Sequence, residues 1–440
     1  MMKRVNILEY GVQKNIDEAQ TEKIQAAIDE ADKIGGTVYV PNGIFKTGTL
    51  NLKSASLYIE KGAVLLGSEK PEDYVFNGFL HNELGECKAL IYSMEGKEIT
   101  IEGEGTINLN GKSFFDFSTH IVPENLKGKL NEQQLEETTA EYSFRPNQGL
   151  FFYRCNNITV KDVKLLDSPC WTLVFAECKG IRVENIVNVG HERIPNNDGI
   201  HLCGCEEAII TKCRITSADD CIALSGITDW DIPCENVVIS DCILKSFSKA
   251  IVLGYAQSIV RNVVVSNCVI RDSNRAFCIM ASERTGLVEN VTVQNMILDT
   301  KVRAGNWWGN GEPILIMARK HKTNDLVDKS DSIAKRNFSV NVRNILFSNL
   351  ICTTENAIGV IGESENIDNV VFRDVYVTLK ESKNLCVKGR TFELAPAKAI
   401  EELKMLKEDC IFCIYHAGNV ELINVRGETT NKTSGMIYRI

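Results

Sequence analysis

The sequence predicts an all-β chain that winds into a right-handed parallel β-helix, a solenoid whose N-terminal end is covered by a capping helix. Three observations lead to this prediction. A short β-branched motif recurs along the chain, apolar and polar residues alternate within it, and Asn-rich turns separate the repeats. Recurrence at a period of roughly 20–50 residues is the signature of repeat architectures. Alternation sends every second side chain of a strand into the interior of such a coil.

The recurring motif is an apolar, β-branched triplet that usually follows Asn. Its first position falls at Ile158, Ile181, Ala208, Val237, Val263, Val291, Ile345, Val370 and Val420. The successive gaps are 23, 27, 29, 26, 28, 54, 25 and 50 residues, so the two long gaps are each close to two periods. Val, Ile, Thr and Cys dominate the repeats, which favours strands stacked in parallel over leucine-rich or helical repeats. Turns such as Cys155-Asn156-Asn157 suit this geometry, because Asn tolerates left-handed backbone.

Three segments depart from the repeat. Residues 18–36 predict the capping helix, with Thr21 as its N-cap and a Gly-Gly pair at its end, and this helix protects an otherwise open sheet edge. Residues 111–147 are polar and charged and predict a long loop insertion near the functional face of the β-helix. Residues 391–409 predict a helical insertion, which is either a solvated surface helix or an oligomer contact.

The composition restricts the class of protein and its partners. A chain of 440 residues exceeds one ordinary compact core, and we expect a single repeat domain over residues 1–440. The formal net charge of -9 argues against nucleic acid and anionic membrane as partners. No apolar run is long enough for a transmembrane helix. Sixteen cysteines, together with the lack of an apolar export segment among the first residues, predict a cytoplasmic protein with reduced thiols.

Three aspartates are the strongest candidates for chemistry. Asp198 lies 21 residues before Asp219, and Asp220 follows directly, so the spacing is close to one coil. Adjacent coils are ~4.8 Å apart, and crowded carboxylates raise the pKa of at least one of them. One carboxyl can then act as a general acid while its neighbours act as bases, as glycoside hydrolysis requires. The alternatives are ordinary turn residues or a calcium site, and the spacing alone leaves these open.

Four stretches carry a resemblance to glycoside hydrolase family 28, the polygalacturonase group. They are residues 35–68, residues 167–175 with their Ser-Pro-Cys-Trp, Asn196–Gly199 in place of the family's Asn-Thr-Asp, and residues 217–224 in place of its Ser-Gly-Asp-Asp. The resemblance spans roughly residues 35 to 375 of the sequence. It implies that Asp219 is the general acid, that Asp198 and Asp220 activate water, and that hydrolysis inverts the anomeric configuration.

The sequence departs from the family pattern where a uronate carboxylate would be bound. Lys249 occupies the place of the family's His, and Phe277-Cys278-Ile279 replaces its Arg-Ile-Lys. Arg275 lies two residues before the place of that Arg. The cationic residues that would bind the uronate carboxylate are therefore missing or replaced by others. Lys249 either supplies a replacement cation, or tunes the pKa of Asp219, or is a solvent-facing turn residue.

The remaining substrate-binding candidates surround the aspartates in sequence. They are Asn196, Lys249, Arg275, Trp307, Trp308, Glu312, Arg145 and His191. The two Trp rings suit the apolar faces of sugars, although they could equally cover the wall of the β-helix. Glu312 could bind hydroxyls or share in acid-base work. One of His191 and His201 could face the site or be structural, and Arg145 could bind substrate or pair with an acid of the neighbouring loop.

These features predict an inverting, exo-acting glycoside hydrolase for pectin-derived or related plant oligosaccharides, which uses an aspartate triad and requires no cofactor or metal. Two alternatives stay open. One is a non-catalytic carbohydrate-binding β-helix whose site has decayed. The other is a polysaccharide lyase with Lys249 as its base. The Cys410–Cys413 segment, superficially like a redox or zinc motif, alternates like a strand and is interpreted as core packing.

Overall fold

The chain winds into a right-handed parallel β-helix, as predicted. The structure is a computed structural model. It describes residues 3–81, 84–226, 232–255, 258–282, 286–319, 341–384, 391–395, 397, 399–400, 403, 410–429 and 437–439. Three parallel sheets run along the helix, and each coil contributes one strand to each sheet over most of its length.

The first sheet carries the recurring motif. Its strands are Arg4–Asn6, Thr37–Val40, Ser56–Ile59, Lys97–Glu102, Asn156–Lys161, Lys179–Glu184, Glu206–Thr211, Cys234–Ser240, Ile259–Ser266, Leu287–Thr300, Val342–Thr354, Ile367–Leu379 and Val420–Thr429. The second sheet joins the first at Leu287–Thr300. Its own strands are Gly43–Thr47, Ala63–Gly67, Thr106–Asn108, Lys164–Leu166, Val187–Val189, Arg214–Ser217, Ile243–Ser246 and Val269–Ser273.

The third sheet carries the candidate site. Its strands are Leu50–Asn51, Ala89–Met94, Gln148–Tyr153, Trp171–Ala176, Ile200–Cys203, Ile222–Ser225, Lys249–Leu253, Arg275–Met280, Ile314–Met317, Ile358–Ile361, Phe412–Tyr415 and Ile437–Arg439. Two antiparallel pairs lie outside the coils, Leu80–His81 with Gly85–Glu86 and Phe115–Ile121 with Thr139–Tyr142. Short 3-10 helices cover Ile7–Tyr10, Pro71–Asp73, Gly111–Phe114 and Glu124–Leu126.

The register of the first sheet confirms the repeat. All nine predicted motif positions, from Ile158 to Val420, pair with one another in a single continuous row. The two long gaps, although each is close to two periods in length, are not double coils. Val291 pairs directly with Ile345, and Val370 pairs directly with Val420, so each long gap is a single coil enlarged by insertions.

Asn side chains form ladders at the corners between strands. Left-handed backbone is shared by Asn236, Asn262, Asn290, Asn344 and Asn369, and each of them after Asn236 donates a side-chain hydrogen bond to the one before it at 2.8–3.1 Å. The ladder satisfies the amides of the corners while the left-handed residues turn the chain. The interior is filled by stacked apolar side chains, and the described cysteines are buried. Cys410 and Cys413 are packed in a smaller apolar cluster beside the third sheet.

The N-terminal capping helix is present and extends over Thr21–Ile34. Its apolar stripe, formed by Ile24, Ala27, Ile28 and Ala31, is buried against the first coils. Thr21 is the first helical residue rather than the predicted N-cap, which is Gln20. The Thr21 hydroxyl instead accepts a hydrogen bond from the backbone N–H of Gly48 at 2.8 Å, and this contact fastens the helix to the coil beneath it.

The two predicted insertions differ in how much the structure describes. Residues 111–147 leave the coils and include the antiparallel pair and a short helix, Glu132–Leu135. Of the helix predicted over 391–409, much lies outside the described residues, and residues 391–395 are not helical. Within the part of the chain that the structure covers, no helix is long and apolar enough to cross a membrane.

Candidate active site

The third sheet stacks charged side chains in one column, at or just before the start of successive strands. Ile200 pairs with Ile222 and Ile222 with Ile251, which aligns Asp198, Asp220 and Lys249 two residues earlier. Further along, Lys249 itself pairs with Arg275. The parallel register therefore assembles a site from residues that are distant in the sequence.

The three predicted aspartates are brought together. At least one carboxylate oxygen of each lies within 4.8 Å of the others, and all three side chains are buried. Gly199 permits the close approach of the coils, because a Cβ at this position would lie 2.4 Å from the carbonyl oxygen of Cys221. The Ser217 and Ser246 hydroxyls both donate to the carbonyl oxygen of Asp219 at 2.6 Å. Backbone spacing and these side-chain bonds thus hold the acidic group rigidly.

Each carboxyl of this triad has a different partner. His201 Nε2 lies 2.8 Å from Asp198 Oδ2, and Lys249 Nζ lies 3.3 Å from Asp220 Oδ1. Asp219 Oδ2 accepts a long hydrogen bond, 3.4 Å, from the Asn196 amide. Two carboxyls are therefore supported by groups that can carry positive charge, whereas Asp219 faces a neutral amide. This asymmetry suits a site in which one acid must act differently from the other two.

Burial and crowding set the charge of the site. Burial raises the pKa of Asp220 well above its ordinary value, the Lys249 charge lowers it in part, and repulsion from Asp219 and Asp198 raises it further. Burial opposes the charge of Lys249, but attraction to Asp220 and Asp219 outweighs it and raises the pKa of Lys249. This raised pKa favours the charged form of Lys249. Lys249 forms its ion pair with Asp220 and is also attracted to Asp219.

The raised pKa of Asp220 makes the stability of the fold dependent on pH. Because the folded-state pKa exceeds the unfolded value of about 3.9, the native state binds more protons above that pH, and the free energy of unfolding falls as pH rises through this window. The loss is up to about 1.4 kcal/mol per pH unit. We expect Asp220→Asn to flatten this decline in urea unfolding at about pH 5 and about pH 8. Asp241→Asn, at an exposed left-handed turn, is the matched control that should retain the decline.

A pocket opens above the triad. It is lined by Trp171, Asn196, Asp198, His201, Asp219, Asp220, Ala223, Ser225, Lys249, Val252, Gly254, Tyr255 and Trp308. The predicted residues Asn196, Lys249 and Trp308 therefore lie at the pocket with the three aspartates. The Lys249 ammonium is 5.0 Å from the centre of the Trp308 ring, so this indole covers the ion pair from above.

His201, not His191, faces the site. Its ring stacks on Trp171 with centroids 3.7 Å apart, and Trp171 in turn meets the edge of His81 at 4.8 Å. Burial lowers the pKa of His81 to about 3, so this histidine is neutral. The prediction named His191, which instead lies against Phe117 of the 111–147 insertion at 4.3 Å.

The signal for His201 was present in the alternation of its strand. Ile200 and Leu202 point into the core, so His201 must point outward, in register with Ala223 of the next coil. Trp171 also lines the pocket, and sequence reasoning used it only as a family marker.

Arg275 and Glu312 are not brought to the pocket. Their side chains are 1% and 0% exposed, and the guanidinium donates to both carboxylate oxygens of Glu312 at 3.2 and 3.3 Å. Arg275 also donates to the carbonyl oxygen of Glu393 at 2.7 Å. The pair therefore joins the loops around the pocket, and neither residue lines the pocket itself.

The side chains of Trp307 and Arg145 also form hydrogen bonds with other residues of the protein. Trp307 is buried, and its indole N–H donates to the carbonyl oxygen of Glu137 in the 111–147 insertion at 2.5 Å. Arg145 donates to Asn196 Oδ1 at 2.8 Å and to the carbonyl oxygen of Pro169 at 3.0 Å. Arg145 thereby orients the Asn196 side chain that faces Asp219, which is a positioning contact.

Comparison with known proteins gives one consistent result. The family described as Glycosyl hydrolases family 28 matches residues 33–393. A probable polygalacturonase of Vitis vinifera is 27% identical over 274 residues, covering 58% of this chain and 52% of the relative. An exo-poly-alpha-D-galacturonosidase of Dickeya chrysanthemi is 26% identical over 287 residues, covering 57% of this chain and 47% of the relative. The chain thus spans about half the length of these curated relatives.

Solved structures share the fold. An exopolygalacturonase from Thermotoga maritima superimposes with a TM-score of 0.66 at 23% identity, covering 87% of this chain and 88% of the other. A family 28 exopolygalacturonase of Yersinia enterocolitica gives a TM-score of 0.66 at 16% identity, covering 100% of this chain and 78% of the other. Because the family match extends over most of the sequence and includes all three aspartates, the chain belongs to glycosyl hydrolases family 28.

Proposed function

We propose that this protein is an inverting, exo-acting glycoside hydrolase that cleaves pectin-derived or related plant oligosaccharides. The observation that carries the proposal is the buried aspartate triad at the floor of a pocket, with a distinct partner for each carboxyl. Asp219 protonates the departing glycosidic oxygen, and Asp198 and Asp220 activate the attacking water. The Lys249 charge beside Asp220 opposes the effect of burial and favours the ionised carboxylate that the base role needs. Two curated relatives are named as a polygalacturonase and an exo-galacturonosidase, which supports the substrate class and the exo mode.

A groove next to the pocket supports action at chain ends. It shares Trp308 with the pocket and is lined in part by Pro123, Asn125 and Leu126 of the 111–147 insertion. The 111–147 insertion contacts the loop after the Leu287–Thr300 strand, where the Glu137 carboxylate accepts from Arg303 at 3.3 Å and from the Ala304 N–H at 2.8 Å. A wall built from two insertions narrows an open cleft, and a blocked cleft admits a chain only by its end. This geometry favours exo cleavage over cleavage within a polymer.

The charge of Lys249 weighs against the lyase alternative. A base for β-elimination has to be neutral before it takes up a proton, but the ion pair with Asp220 raises the pKa of Lys249 and keeps it charged. Lys249 is better suited to support Asp220 than to remove a proton from a sugar.

A product assay tests the proposal. The protein is incubated with a panel of pectic oligosaccharides, with and without uronic acid at the chain end, and proton NMR follows the first anomer released. We expect monosaccharide release with inversion. Initial release of the retained anomer would overturn the inverting mechanism, and an unsaturated, ultraviolet-absorbing product would show a lyase. Tight binding without turnover across the panel would identify a binding protein.

We also propose that the protein works in the cytoplasm on imported oligosaccharides. The described cysteines are buried and form no disulfides with one another, as expected for a protein in a reducing compartment. Fractionation of the native cells with an antibody to the protein tests this location. Recovery outside the cytoplasm would contradict it.

A further inference from the structure

A second groove lies beside the catalytic pocket and shares Trp308 with it. Its walls include Asn306, Trp307, Asn310, Phe392 and Glu393. The Trp308 indole borders both cavities, so a sugar bound in the pocket and a neighbouring sugar in the groove would lie on either side of it. The partly exposed Trp308 indole and the exposed Asn306 amide suit a pyranose, which has apolar faces and polar edges.

Buried ion pairs build this groove. The Arg275 guanidinium binds the Glu312 carboxylate and the Glu393 carbonyl oxygen, which joins the coil to the 391–395 segment. The Glu393 carboxylate accepts from the backbone N–H groups of Gly309 at 3.3 Å and Ala395 at 2.6 Å. Glu393 therefore has a fixed position at the wall, and its side chain keeps 25% of its surface exposed.

The charge of this region is unfavourable for an anionic sugar. Glu393 contributes a carboxylate, and the described residues that line the groove include no Lys, Arg or His. The nearby cations are already paired: Lys249 with Asp220, Arg303 with Glu137, and Arg275 with both Glu312 at 3.2 Å and Glu393 at 3.9 Å. One Arg275 charge faces two carboxylates, so a net negative charge is left at the groove wall. Arg275 and Arg303 are also 1% and 4% exposed, which leaves little of either guanidinium for a ligand.

We propose that the groove beside Trp308 is a sugar subsite that selects an uncharged residue, so that the preferred substrates carry a neutral sugar next to the one held over the aspartates. This inference rests on the proposed function for its cleavage step, but the selection itself is a property of binding. Like charges brought together at a partly desolvated wall repel strongly, and Glu393 and the triad would all repel a uronate carboxylate. The usual pectic uronate is then disfavoured at this one position.

The test compares oligosaccharides that differ at the carboxyl group, which is charged in one form and neutral in the two others. Trigalacturonate, its methyl ester and its carboxyl-reduced form share ring geometry, and their binding to the Asp219→Asn variant is measured by calorimetry. We expect the two neutral forms to bind roughly tenfold more tightly than the acid, with a difference that shrinks as salt is added. Glu393→Gln removes one repelling charge and should reduce the difference several-fold. Burial raises the pKa of Glu393, so the preference should also grow as pH rises.

The controls separate this inference from the proposed function. Glu72→Gln, at an exposed position far along the sequence from the groove, should leave the preference unchanged. Trp308→Ala should weaken binding of neutral and acidic forms alike, because it removes the shared platform. Equal or tighter binding of the acid, or an unaltered preference in Glu393→Gln, would overturn the neutral subsite even if wild-type enzyme cleaves the substrates. Selective binding without any cleavage would support the subsite and refute the hydrolase.

Discussion

Asp219→Asn is expected to lower kcat by about 10³-fold or more while leaving the fold and substrate affinity nearly intact. Asparagine has almost the same shape and can keep the contact with Asn196, but it cannot deliver a proton to the departing oxygen. A substrate with a good leaving group, such as a nitrophenyl glycoside of the cleaved sugar, should recover much of the rate because its departure needs little protonation. Steady-state kinetics on both substrate types measure the effect.

The same substitution elsewhere provides the control. Asp241 is an exposed turn aspartate with left-handed backbone, where Asn is equally well tolerated, so Asp241→Asn should retain full activity. An Asp219→Asn enzyme with unchanged kcat on the natural oligosaccharide would remove Asp219 from the mechanism. A loss that the activated substrate fails to rescue would move the acid role to another carboxyl, and Asp220, whose pKa is raised, would be the next candidate.

Lys249→Met is expected to lower kcat roughly 10²-fold near pH 5 and to shift the acidic limb of the pH-rate profile to higher pH. Lys249 lowers the pKa of Asp220, and methionine fills the same space without charge. Asp220 then takes up a proton at higher pH and is lost as a base in the acidic range. The variant should also be destabilised, by up to about 3–5 kcal/mol at high pH where Asp220 is forced to ionise without a partner.

Two further lysine variants show whether that result depends on the charge at position 249. Lys249→Arg keeps the charge beside Asp220 and should restore most of the wild-type pH profile, even if the larger group reduces kcat. Lys212→Met removes an exposed lysine that pairs with Glu184 on a neighbouring coil and should change neither the profile nor kcat. If Lys249→Met left the profile unmoved, the ion pair would have no part in setting the charge of Asp220.

The sequence was most informative where each coil repeats one pattern. The period and the alternation predicted the parallel β-helix, and the nine motif positions proved to be in register. The coil-length spacing of Asp198 and Asp219 also brought the triad together, because parallel stacking converts a fixed spacing into proximity. Strand periodicity is a local property, so it can be counted from the sequence alone.

What could not be predicted depends on contacts between insertions and coils. A gap of 54 residues fits either two plain coils or one coil with insertions, and only the direct pairing of Val291 with Ile345 decides between them. Arg275 and Glu312 looked like substrate ligands because charged residues near a site usually are, yet they neutralise each other in the interior. Their pairing depends on where a long excursion returns to the stack, which no local pattern encodes.

The excursions that leave a coil and return to its neighbour have a thermodynamic consequence. The stacked strands fix both ends of each excursion, so lengthening it alters mainly the entropy of closing a loop. That entropy grows logarithmically, at ~0.6 kcal/mol for each doubling of length. Such a scaffold can therefore gain or lose the insertions that line its binding site during evolution, with little loss of folding free energy. The strands that hold the aspartates keep their register.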